Sequence, residues 1–296
     1  MLEWTRADST GTEVCFDAAS WARSFKYTQG FRVFSQGYQD SVLASLFHHE
    51  HLGTKKRTFV EFGFHVADVD GTANFSSVRG RHPALRELPS YGANSELLQR
   101  KGWSGVRFDG DELSALIPNM RQAYITPQNV VAVFRQHKIP LDVDYVSIDV
   151  DSCDLWIFLA LTDVYRPTVI TIEYNSNYAF NESFTNVCTS PSDGSFFTSG
   201  AFTKNHWGWS ASLAAINKAA KRRGYAVVWV EPRLDIFLVR LDRVCQPYGI
   251  PPLQQFEFAT GLRLHVGRQA LQRHCRDRTS PSCGLDLFRK WIAEYH

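Results

Sequence analysis

Four short runs of β-branched and aromatic residues each stop at a carboxylate or a glycine, and no other feature constrains the fold of this chain as much. Thr58-Phe-Val-Glu-Phe runs into Gly63 and Gly105-Val-Arg-Phe into Asp109. Tyr145-Val-Ser-Ile runs into Asp149-Val-Asp151, and Thr168-Val-Ile-Thr-Ile into Glu173-Tyr-Asn175. Segments of helical period lie before and between them: Asp40 to His51, Glu96 to Lys101, Asn129 to His137 and Leu155 to Leu161. Alternation of this kind predicts a parallel sheet. Ligands of an open parallel sheet bind outside the carboxyl ends of its strands. Glu61, Gly63, Asp109, Asp149, Asp151 and Glu173 are therefore expected along one sheet edge, in the layout of a nucleotide or nucleoside site.

The remaining pattern completes the sheet. Arg121–Ile125 reads as a further short strand, and Thr126-Pro127 as a helix start with Thr as cap and Pro in the first turn. Ala211–Arg223 reads as a helix stopped by Gly224. Tyr225–Val230 and Ile236–Leu241 are strands joined closely enough for an antiparallel hairpin. The expected fold is α/β, with seven strands, mostly parallel, and a closing antiparallel hairpin. Residues 1–57 read as a helical lead-in covering the site, 58–241 as the catalytic domain, and 242–296 as a basic extension. A helix near Leu285–Tyr295 is expected to pack on the domain or to form an oligomer contact such as a homodimer. The stretches 64–92 and 175–208 are long and aperiodic, as functional loops are.

Composition narrows the function. Of the 296 residues 44% are hydrophobic and 14% aromatic, enough to fill a core. A net charge of +2 lacks the basic footprint of nucleic-acid binding. The clusters Lys55-Lys56-Arg57 and Lys221-Arg222-Arg223 read as a loop and as a helix end, where cations suit the macrodipole. No apolar run approaches the roughly 20 residues of a membrane span, and the start has no signal-peptide core; a cytoplasmic protein is expected. The six cysteines form no C-x-x-C pair and are read as free thiols. His274-Cys275 with Cys283 lacks a fourth zinc ligand. His48-His49-Glu50-His51 is read as a polar helix end, because adjacent helical residues point in different directions.

Four groups of residues, in order, carry a family resemblance: Ser35-Gln-Gly-Tyr-Gln-Asp40, Val60-Glu-Phe-Gly63, Gly102-Trp-Ser-Gly-Val-Arg-Phe-Asp-Gly-Asp111, and Ser147-Ile-Asp-Val-Asp-Ser-Cys-Asp154. With Val169-Ile-Thr-Ile-Glu-Tyr-Asn175 they resemble the FkbM-type methyltransferases, class I enzymes that use S-adenosylmethionine (SAM). The resemblance spans residues 33–241. It implies a Rossmann-like seven-stranded methyltransferase fold and a SAM site. Gly63 would let the backbone approach the methionine part of the cofactor, and Glu61 would face its amino group or order the loop. Asp109 would accept from the ribose hydroxyls, Tyr124 would flank the adenine, and Asp149 would lie beside the methyl donor. Gln36 and Asp40 would belong to a lead-in closing over the cofactor. The sequence departs from the family after Gly63, where Phe64-His65-Val66-Ala67-Asp68 stands in place of further glycines.

Methyl transfer to a hydroxyl needs alignment and a base. Asp149, Asp151 and Glu173 are the candidate catalytic carboxylates, with Asp154 and His65 beside them. Asp149, Asp151 and Asp154 are also oxygen ligands of the kind magnesium takes. Alternatively, one caps the following helix and another faces water. Glu173 pairs with a buried arginine or touches the acceptor. His65, Asn175, His206 and Trp207 are candidate acceptor contacts, and Asn175 suits a turn equally well. The expected activity is O-methylation of a small molecule or glycan, the oxygen preference coming from the resemblance. The alternative is a scaffold or binding protein of the same fold that has lost SAM chemistry. An NAD-dependent oxidoreductase is disfavoured because no G-x-G-x-x-G follows the first strand.

Overall fold

The expected strands form at Thr58–Phe62 (β1), Ser104–Asp109 (β2), Met120–Gln122 (β3), Tyr145–Ile148 (β4), Val169–Glu173 (β5), Tyr225–Val230 (β6) and Asp235–Arg240 (β7). The helices are Ala18–Ser24 (α1), Gln39–His48 (α2), Glu96–Arg100 (α3), Val130–Gln136 (α4), Asp154–Thr162 (α5) and Leu213–Arg222 (α6). The computed structural model describes residues 15–25, 33–49, 51–52, 56–63, 93–110, 114–115, 119–150, 153–176, 178–185, 188, 210–246 and 248–256. Within them the strands make one sheet in the order β3-β2-β1-β4-β5-β7-β6. Strands β1 to β5 pair in parallel, and β7 runs antiparallel to both β5 and β6. The hairpin expected from sequence is present, but its second strand lies inside the sheet and its first lies at the edge.

Strand side chains alternate between faces, so the sequence of each strand sorts two cores. Val60, Phe62, Phe108, Val146, Ile148, Ile170, Ile172, Ile236 and Leu238 fill one face, covered by residues of α4, α5 and α6. Phe59, Tyr145, Val169, Phe237 and Val239 fill the other, covered by α1, α2 and Leu98 of α3. The protein is thus an α/β fold with helices on both faces of a mostly parallel sheet. No helix among the described residues is long and apolar enough to cross a membrane.

Two departures from the sequence expectation have local causes. The third strand covers Met120–Gln122, where Arg121–Ile125 was expected. The Asn129 side chain accepts from the Thr126 N–H (2.8 Å) and donates to the Tyr124 carbonyl (2.7 Å). These contacts draw the backbone off the sheet ladder and into the approach to α4. Helix α2 stops at His48, because His49 is extended.

The cysteines require a larger correction. Free thiols were expected, yet Cys15 pairs with Cys245 and Cys153 with Cys188; Cys275 and Cys283 lie outside the described residues, as does the expected helix near Leu285–Tyr295. The partners are 230 and 35 residues apart in sequence, so no spacing motif could reveal them. Cys15–Cys245 fastens the lead-in to the segment after β7. Backbone bonds from Phe16 to the Arg243 carbonyl (2.8 Å) and from Cys245 to the Phe16 carbonyl (3.0 Å) run alongside. The two ends of the described chain are therefore packed together against β6 and β7. Replacing Cys15 and Cys245 together by Ser is expected to lower the unfolding free energy by about 2–4 kcal/mol and to leave the sheet intact. Urea denaturation followed by circular dichroism measures it. An unchanged midpoint would mean that the backbone bonds alone hold these ends.

Candidate functional site

Three rows of side chains cross the α1/α2 face of the sheet, and their polarity rises toward the carboxyl ends of the parallel strands. The first row is apolar, with Phe59, Tyr145, Val169 and Val239 in register. The second is polar over most of its length: Arg107, Glu61, Ser147 and Thr171, then Phe237. Two residues further on stand Asp109, Gly63, Asp149 and Glu173, with Glu173 in register with Asp235. The period of two thus delivers a row of carboxylates to the open edge expected from the sequence.

The second row is a closed hydrogen-bond network. Glu61 is buried and accepts from the Asn94 N–H (2.7 Å), the Ser95 N–H (3.1 Å), the Ser95 hydroxyl and Arg107 Nε (3.4 Å). Arg107, also buried, donates in addition to Ser95 Oγ (2.9 Å) and to Glu96 (3.0 Å). Of the two roles open to Glu61, these bonds match the ordering of chain: they tie the start of α3 to β1 and β2. Tyr145, Thr171, Ser147 and Asn94 continue the network from one strand to the next, at 2.7, 3.0 and 3.2 Å. Burial pushes the Tyr145 hydroxyl well above its ordinary pKa, so it stays neutral in this chain.

At the edge, Gly63 has φ +89°, and a Cβ there would lie 1.1 Å from the Asp149 carbonyl oxygen. The glycine is therefore required by the crossing of two backbones, whatever ligand is present. Asp149, Asp154 and Glu173 bring carboxylate oxygens within 4.8 Å of one another, a spacing that a hard cation could span. Asp154 has a structural task as well. It accepts from the Val150 N–H (2.7 Å) and the Ser210 hydroxyl (3.1 Å), folding the acidic turn after β4. Asp149 and Glu173 also line a small cavity of about 20 Å3 with Gln36, Gln39, Asn94, Leu234 and Asp235. That is room for about one water-sized group.

Asp109 ends β2, and the ring of Tyr124 lies against the next residue: a Cβ on Gly110 would meet it at 2.9 Å. Tyr124 is 51% exposed, so part of its ring is open to solvent. Asp40 is fully buried and accepts three backbone N–H groups, from Val33, Phe34 and Ser35. It shapes the lead-in, which presents Gln36 to the cavity. Asn175 is buried, and its N–H donates to the Ala211 carbonyl (2.8 Å). Asp151, His65, His206 and Trp207 lie outside the described residues.

Gln39, Asn94 and Asp235 escaped the sequence reading as site residues. Asp235 Oδ2 accepts from Gln39 (2.8 Å) and Asn94 (3.2 Å), linking α2, the entry to α3 and β7. Its signal was available. An antiparallel strand begins where its parallel neighbours end, so the first residue of β7 belongs at the edge. Burial pushes the Asp235 carboxyl up to about 6, helped by the nearby charges of Glu231 and Glu61, while its bonds from Gln39 and Asn94 pull the other way.

Comparison with known proteins adds no relative: no protein-family model matches the chain, and no curated protein matches it.

Two outcomes follow from the buried carboxylates. Glu61→Ala leaves two backbone donors and the Ser95 hydroxyl without their acceptor and removes one of the two carboxylates paired with Arg107, and is expected to cost about 3–5 kcal/mol of stability; urea denaturation checks it. The Asp235 carboxyl, raised from 3.8 to about 6, holds a proton in the folded state that the unfolded chain has lost. Its contribution to stability is full below pH ~4 and is lost as pH rises through about 6. Asp235→Asn is expected to match the wild type near pH 4 and to exceed it by about 2–3 kcal/mol at pH 7.5. A difference independent of pH would contradict the raised carboxyl.

Proposed function

We propose that the protein is a SAM-dependent methyltransferase. The observation that carries this reading is the sheet: seven strands, all parallel but one, closed by an antiparallel β7 inserted between β5 and β6. That is the pattern of the class I SAM-dependent enzymes that the sequence resembles. Fold alone does not give function, so the residues at the edge must suit the cofactor. Asp109 ends the second strand, where a carboxylate can accept from both ribose hydroxyls, as in dinucleotide sites. The open face of Tyr124 beside it suits the adenine. Asp149, next to the Gly63 crossing, suits the methionine end.

In this reading the acceptor enters over β4, β5 and β7, where Asp149, Glu173 and Asp235 stand near one another. SAM supplies an electrophilic methyl group. The chain orients the acceptor, and one of these carboxylates takes the acceptor proton as the methyl is transferred. Asp235 is suited to that task, because a carboxyl pushed to about 6 is a better base than an ordinary one and is still mostly ionised at neutral pH. The acceptor class is a hydroxyl of a small molecule or glycan, as the resemblance implies.

Calorimetric titration with SAM and with S-adenosylhomocysteine, NAD serving as control, tests the reading. Micromolar binding of either SAM species and none of NAD is expected. Asp109→Ala is expected to weaken that binding by about 10- to 100-fold, the loss of hydrogen bonds to a charged acceptor, with the thermal transition unchanged. Absence of binding to the wild type, with and without magnesium, would overturn the proposal.

A further inference from the structure

Two side-chain amides from separate elements meet on one oxygen of Asp235. Gln39, the first residue of α2, donates from Nε2 to Asp235 Oδ2 at 2.8 Å. Asn94, shortly before α3, donates from Nδ2 to the same oxygen at 3.2 Å. All three residues are buried. Neither amide can be turned over without loss. Gln39 Oε1 accepts from the Gly37 N–H (2.7 Å), which leaves its NH2 group for Asp235. Asn94 Nδ2 also donates to Ser147 Oγ (3.2 Å), and the Asn94 N–H is held by Glu61 (2.7 Å). An amide NH2 group donates and does not accept. Both neighbours of Oδ2 therefore give protons to it, and the two oxygens of Asp235 are inequivalent.

We propose that Gln39 and Asn94 are positioning residues that fix which oxygen of Asp235 takes a proton: their N–H groups occupy Oδ2, and Oδ1 is the atom that a hydroxyl in the cavity protonates. A proton on Oδ2 would stand against two N–H groups aimed at that atom. A proton on Oδ1 leaves Oδ2 as the carbonyl oxygen and keeps both amide bonds. Asp235 lines the cavity together with Asp149 and Glu173, which is where the hydroxyl is met. The use of Asp235 as a base rests on the methyltransferase reading. There the acceptor O–H bond breaks as the Oδ1–H bond forms, the oxygen's electron pair makes the new bond to the methyl carbon, and the pair of the broken methyl–sulfur bond stays on sulfur. The surroundings divide in their effect on this carboxyl. Burial and the charges of Glu231 on the hairpin connector and Glu61 on β1 oppose its ionisation, whereas the two amides favour it. Tyr145 of β4 and Tyr174 after β5 also interact with Asp235, and burial keeps both hydroxyls neutral. Glu173 stands in register with it across the strand pair.

The test uses the full chain without cofactor. At about pH 5 an Asp235 carboxyl pushed up to about 6 is protonated, while ordinary carboxyls are mostly ionised. Infrared difference spectra against Asp235→Asn then isolate the C=O stretch of the protonated Asp235. A hydrogen bond to a carbonyl oxygen lowers that stretch. With the proton on Oδ1, Gln39→Met and Asn94→Leu each remove a bond to the carbonyl oxygen, and each is expected to raise the frequency. The pH at which the band disappears is expected to rise by about one unit in each variant, because a donor to the ionised form is lost. Ser147→Ala disturbs the same network away from Asp235 and is expected to leave the band in place. Should one of the two variants fail to fold, the other decides. An unmoved frequency in the folded variants would put the proton on Oδ2 and overturn the proposal. An equal shift in Ser147→Ala would overturn it too, as would the absence of an Asp235 band down to acid unfolding. Titration with SAM decides the methyltransferase reading separately, and the infrared measurement locates the proton whether or not SAM binds.

Discussion

The open edge of the sheet depends on how the carboxylate of Glu61 is satisfied. A buried carboxylate is costly unless it is paired and hydrogen-bonded. Here it accepts from two backbone N–H groups, a hydroxyl and a guanidinium. Those donors come from the start of α3 and from β2. One carboxylate in β1 therefore ties the second strand and the third helix together below the edge. It also sets Asn94, whose side chain reaches both Ser147 on β4 and Asp235 on β7. Remove the carboxylate, and the positions of Asp109 on one side and Asp235 on the other lose their common reference.

The same network gives the polar residues of the second row a structural task. Glu61, Arg107, Ser147 and Thr171 are buried and engaged with one another. The reactive candidates stand one pleat higher, at Asp109, Asp149, Glu173 and Asp235. The lower row gives the upper one a rigid floor, as a binding constellation needs if its geometry is to be held by its supports. The sheet passes from apolar to polar to carboxylate in three steps of two residues, and that gradient is written in each strand.

This gradient is what made the edge legible in the sequence. Each parallel strand is a short apolar run with its polar residues at the carboxyl end, so strand direction and the functional end could be read together. Glu61 could be placed but not assigned, since its partners Asn94 and Ser95 are more than thirty residues away and only the fold joins them. Gly63 was read as making room for a ligand; the backbone of Asp149 requires a glycine there independently of any ligand. The disulfides were illegible for the same reason as the Glu61 contacts. Their partners become neighbours only when the lead-in reaches the segment after β7, and when the chain after β5 returns to α5.

Asp235 is the most instructive omission. The rule that functional residues follow parallel strands looks only at strand ends, and Asp235 is a strand beginning. Inserting β7 antiparallel between β5 and β6 turns that beginning toward the edge, in register with Glu173. The hairpin connector from Glu231 to Asp235 is drawn in with it: Glu231 Oε1 accepts from the Tyr38 N–H at 3.0 Å, and Asp235 accepts from Gln39. The lead-in before α2 is thus held by the last hairpin of the sheet, 193 residues further along the chain. A single reversed strand brings an ionisable group, the start of α2 and the Glu173 side of the edge to one place, which five parallel strands alone could not do.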